Sequence, residues 1–90
     1  MSTISTIINS ETPRDVLLFL AGGENGISYP RLDGLYNRND WVNISSNIEL
    51  LKLVDTMIAE GLIKHTDGAL RKGPMWKSPE FIAQNKYIFK

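Results

Sequence analysis

Apolar residues at 50, 51, 54, 57 and 58 recur at three- and four-residue intervals, so Ser46 to Glu60 is predicted to form one amphipathic helix. Glu49, Lys52, Asp55 and Glu60 fall mostly on its polar side. Ser46 followed by Glu49 reads as a capping box, in which the serine hydroxyl accepts from the N–H of Glu49 and the carboxylate reaches back to the N–H of Ser46. Gly61 is the stop, since glycine takes the left-handed conformation past a helix end without steric penalty. The pattern then changes: Leu62 to His65, the turn Thr66-Asp67-Gly68, and Ala69 to Lys72 predict an antiparallel hairpin over 62–72.

Earlier in the chain, Thr12 as N-cap and Pro13 in the first turn predict a helix from Pro13 to Ala21, with Val16, Leu17, Phe19 and Leu20 on its buried side. Gly22-Gly23 ends it. Residues 1–11, with Thr3, Ile4, Thr6, Ile7 and Ile8, read as an N-terminal strand or a tail, because β-branched side chains suit a strand. Ile27-Ser28 is at most a very short strand. Tyr29 to Tyr36 reads as a short second helix, with Leu32, Leu35 and Tyr36 buried and Gly34 weakening it. Asn37 to Asn43 is a polar connection. In the 73–90 extension, Ser78 and Pro79 open one or two helical turns over Glu80 to Asn85, and Lys86 to Lys90 reads as a closing strand.

The order of helix, short helix, longer helix and hairpin over residues 12–72 resembles the winged helix-turn-helix family. Its most specific part runs from Leu50 through Glu60-Gly61-Leu62-Ile63, similar to a recognition helix passing into its wing. The resemblance implies a single α+β domain over 1–90, with a three-helix core, a β-hairpin wing and a short C-terminal helix or strand. It also implies duplex DNA as a partner, met by the N-terminal end of the helix, here Ser45, Ser46 and Asn47 with Lys52, and by Lys64, Arg71 and Lys72 in the wing. A homodimer goes with that reading.

Charge tells against it. Ten basic and ten acidic residues cancel, so the whole molecule offers no general attraction to phosphate. Glu49, Asp55 and Glu60 raise the cost of approaching DNA along the helix itself.

Candidate chemistry is sparse. With no cysteine there is no disulfide, thiol nucleophile or thiolate-ligated zinc. His65 is the only histidine and has a single nearby carboxylate in sequence, Asp67, too few groups for a metal site. The glycines at 22, 23 and 26 lack the Gly-Lys-Ser/Thr ending of a phosphate loop. These features predict no enzyme activity and no metal or cofactor. No apolar run approaches the roughly 20 residues needed to cross a bilayer, and the N-terminal stretch lacks the pattern of a secretory signal, so a cytoplasmic location without membrane attachment is the expectation.

Aromatic residues shift the expectation toward a protein partner. Trp41 follows Asn39-Asp40, and Trp76 lies in Gly73-Pro74-Met75-Trp76-Lys77, both in loop-like stretches where tryptophan often anchors interfaces. The alternative role for each is to cap the end of a small core. The sequence is therefore read first as a non-enzymatic protein-binding domain, an inhibitor or immunity-type protein that neutralises a toxin or enzyme by occlusion. Its binding residues are expected to be an acidic patch of Asp40, Glu49, Asp55 and Glu60 with Trp41 or Trp76 as anchor, set against a basic partner surface. A DNA-binding transcriptional regulator is the alternative.

Overall fold

The computed structural model describes residues 3–84 together with Lys86 and Tyr87. Five helices and three strands follow one another within them: α1 (Thr3–Ser10), α2 (Pro13–Ala21), β1 (Ile27–Ser28), α3 (Tyr29–Arg38), α4 (Asn47–Ala59), β2 (Ile63–Thr66), β3 (Ala69–Lys72) and α5 (Glu80–Ala83). The arrangement is α+β, and the strands make one antiparallel sheet in the order β1-β3-β2.

Capping side chains start three of the helices. Thr12 accepts from the N–H of Asp15, Ser28 from that of Arg31 and Ser46 from that of Glu49, each satisfying a donor that the first turn leaves without an intrahelical acceptor. Pro13 and Pro30 occupy the first turns of α2 and α3, where a missing N–H costs no hydrogen bond. Gly61 follows α4 at φ +79°. The Asp67-Gly68 turn has positive φ at both positions, 54° and 77°. That is the geometry which matches the twist of two paired strands. It sets Lys64 opposite Arg71 and Ile63 opposite Lys72. The other edge of β3 pairs with β1, Ile27 opposite Leu70. The approach is close at Gly26: with φ +64°, any Cβ there would overlap the Leu70 carbonyl oxygen.

Several expectations are corrected. The N-terminal stretch is a helix, with Ile7 and Ile8 both fully buried. Ile4, Ile7 and Ile8 share a helical face, and packing them on the core outweighs a β-propensity whose range is only about 1 kcal/mol. The reciprocal half of the capping box is shifted by one residue: the Glu49 carboxylate accepts from the backbone N–H and hydroxyl of Ser45, both at 2.9 Å, rather than from Ser46. The buried stripe of α4 is Leu50, Val54 and Met57, whereas Leu51 is 43% exposed. α3 runs on to Arg38, and α5 begins after Pro79 rather than Ser78. Lys86 and Tyr87 are not in a strand, and the rest of the expected closing strand lies outside the described residues.

The core gathers side chains from every helix, with Ile7, Leu17, Leu32, Val54, Met57, Leu70 and Phe81 nearly or fully excluded from solvent. Glu11 fastens the C-terminal segment to the α1–α2 joint by accepting from Lys86 Nζ at 2.7 Å and the Tyr87 hydroxyl at 2.6 Å. No helix among the described residues is long and apolar enough to cross a membrane.

Candidate protein-binding surface

α3 and α4 diverge over an apolar groove of about 320 Å³. Leu32 and Leu50, both buried, line it with Tyr29, Pro30 and Leu51, and Asp33 and Asn47 add its polar positions. Ile48 is 61% exposed one residue beyond Asn47. With 3.6 residues per turn, Ile48, Leu51 and Asp55 fall on one flank of α4, the flank turned away from the core. Two large aliphatic side chains thus stand in solvent where a helix whose partners were all internal would carry polar residues.

Acidic groups lie around this apolar flank. Asp33 accepts from Asn37 Nδ2 at 3.3 Å. Tyr29 packs edge-on against His65 with ring centroids 5.0 Å apart. Burial, with the negative charge of Asp55 as a smaller cause, pushes the Tyr29 hydroxyl pKa up. Asp55 and Tyr29 therefore feel one another across the α3–α4 face. The hydrogen bonds from Ser45, backbone first, hold the exposed Glu49 carboxyl below its ordinary value, so it stays ionised at neutral pH.

The four expected acids do not form one patch. Glu49 and Glu60, eleven residues apart, come round to nearly the same side of α4, about 120° from Asp55 by helical geometry. Glu60 is paired with Arg14 of α2 at 2.8 Å, and Asp40 lies in the α3–α4 connection. The tryptophans are corrected as well. Trp41 is buried at 6% exposure, its indole N–H directed at the Leu35 carbonyl at 3.4 Å, so it caps the core. Trp76 is half-buried and donates to the Leu18 carbonyl at 2.9 Å, with Lys72 Nζ 4.4 Å over its ring. Neither is a free anchor.

The residues expected for DNA are divided in the same way. Ser45 and Ser46 are engaged in capping, Asn47 lines the groove, Lys52 is exposed on α4, and Lys72 covers Trp76. Lys64 and Arg71 remain side by side in the β2–β3 ladder, and Arg71 Nε is buried without a hydrogen-bond partner. No group of three or more His, Asp or Glu among the described residues is placed to hold a metal ion. Sequence reasoning missed the groove itself, although Ile48, an aliphatic residue off the buried stripe, was its visible sign.

The chain was compared with protein-family models, with characterised proteins and with solved structures, and none of the three gives a match.

Proposed function

We propose that this chain is a winged-helix-like, non-enzymatic protein-binding domain acting in the cytosol, an inhibitor or immunity-type protein that neutralises a toxin or enzyme by covering a basic surface. The observation that carries the reading is the exposed pair Ile48 and Leu51 on α4 beside the apolar groove, with Asp33 and Asp55 around it. An apolar centre with a charged rim is how protein interfaces concentrate their affinity. A helix meant for the major groove has no use for two aliphatic side chains and a carboxylate on its outer flank, because phosphates surround it there. The partner that fits offers an apolar side chain for the groove and Lys or Arg around it.

Affinity capture from the native host with wild-type protein and with Leu51→Asp tests the reading. A stoichiometric protein whose capture weakens with salt and is lost on Leu51→Asp, while the variant stays folded, supports it. Capture unaffected by Leu51→Asp and by the paired reversal Asp33→Lys plus Asp55→Lys refutes it. The rival rests on Lys64 and Arg71: tight, salt-sensitive binding of duplex DNA that disappears in Lys64→Ala plus Arg71→Ala assigns the domain to DNA instead.

A further inference from the structure

A second groove, of about 390 Å³, opens on the other side of α3. Its size lies within the range of about 300 to 1,000 Å³ common for small-molecule sites. Phe19, Leu20, Leu35, Trp76 and Ile82 supply much of its apolar wall, and Gly22, Gly23 and Gly26 expose backbone along it. Of the described residues that line it, Arg31 alone is charged. Arg31 and Leu35 are one helical turn apart, so α3 presents both to this groove while Leu32 and Asp33 face the groove shared with α4.

Arg31 is exposed, and its backbone N–H is used by the Ser28 cap. Among the described residues its guanidinium has no ion-pair partner. A second cation adjoins the wall, since Lys72 Nζ lies over the Trp76 ring. The indole N–H is already satisfied by Leu18, so Trp76 offers the groove ring surface rather than a donor. The acids Glu24 and Glu80 adjoin lining residues in sequence, but neither lines the groove.

We infer that this groove binds a small apolar carboxylate, its hydrocarbon or aryl body lying against Phe19, Leu35 and Trp76 and its carboxylate paired with Arg31. Guanidinium and carboxylate match as planar, charge-assisted partners. The apolar walls favour the body through removal of its surface from water. A neutral ligand of the same shape forfeits the charged contact, and a dianion places excess charge against an apolar wall. The site is separate from the α3–α4 groove, so it stands whether or not that surface binds a protein.

The test is a titration of the whole chain with octanoate and with octanamide, which has the same length and no charge, followed by two-dimensional amide NMR. Octanoate is expected to shift the amides of Gly22, Gly23 and Gly26 and the indole N–H of Trp76 in saturable fashion, and to bind about tenfold tighter than octanamide. Arg31→Gln is expected to bring octanoate down to the octanamide level while leaving the remaining spectrum in place, since Arg31 is exposed and unpaired. Equal binding of the two probes to the wild type, an unchanged octanoate affinity in Arg31→Gln, shifts confined to Ile48 and Leu51, or no saturable shift at millimolar probe would each overturn the inference.

Discussion

Leu50 and Leu51 adjoin one another on α4, yet one is 2% and the other 43% exposed, so their separate truncation to alanine reads the rotation of the helix about its axis. Each substitution removes the equivalent of three methylene-sized carbons. At about 0.8 kcal/mol per buried carbon, Leu50→Ala forfeits about 2.4 kcal/mol of transfer free energy, and the closed cavity left beneath α4 raises the cost to about 3 to 4 kcal/mol. At Leu51 the same carbons are little more than half-buried and the space vacated opens to water, which leaves about 1.4 kcal/mol as an upper figure. A domain of this size loses about 4–8 °C of melting temperature per kcal/mol, so the two variants should melt some 6–20 °C apart. Urea unfolding followed by far-UV circular dichroism checks it, with both curves fitted to a common slope so that the difference lies in the midpoint. Equal losses, or a larger loss at Leu51, would mean that α4 is turned to bury the residue assigned to the groove rim. That result would remove the basis of the proposed binding surface together with the core assignment.

Other expectations follow from single contacts. Gly34→Ala should stabilise the domain by about 0.5 to 1 kcal/mol, because the glycine sits inside α3 and a Cβ there meets only the Arg38 guanidinium at ordinary contact distance; an unchanged or lower thermal midpoint would count against the helix at that position. Gly26→Ala should be among the most damaging substitutions, since the new methyl would overlap the β3 backbone at a left-handed φ, and a wild-type midpoint would refute the β1–β3 pairing. The Glu11 carboxyl is held below its ordinary value mainly by the hydrogen bond from Lys86 and then by that from Tyr87. Its contribution is therefore full above the unfolded value near 4.5 and is lost as pH falls through the lower folded one. Glu11→Gln should flatten that acid limb of the stability profile, and an unaltered limb would show that other carboxylates carry it.

What could be read from the sequence alone was what is decided within a few residues. Thr12-Pro13, Ser46 with Glu49, Gly61 and Asp67-Gly68 act through hydrogen bonds and φ preferences that span at most one turn, and the helices of 13–21 and 47–59 and the hairpin appear where those signals lie. Ile4, Ile7 and Ile8 carried two messages at once, β-branching for a strand and a three-four spacing for a helix. Only the presence of a core to receive two of them decided for the helix.

The candidate sites depended on tertiary structure more heavily still. Whether Leu51 or Leu50 lies in the open is set by where α3 packs against α4, not by the five-residue apolar stripe, which is equally consistent with a helix turned by one position. The role of Trp76 was settled by the Leu18 carbonyl, 58 residues away, and that of Glu11 by Tyr87, 76 residues away. Ile27-Ser28 became a strand only because β3 offered a free edge. Such pairings depend on which distant groups the packed core brings within reach, and no local pattern encodes that distance.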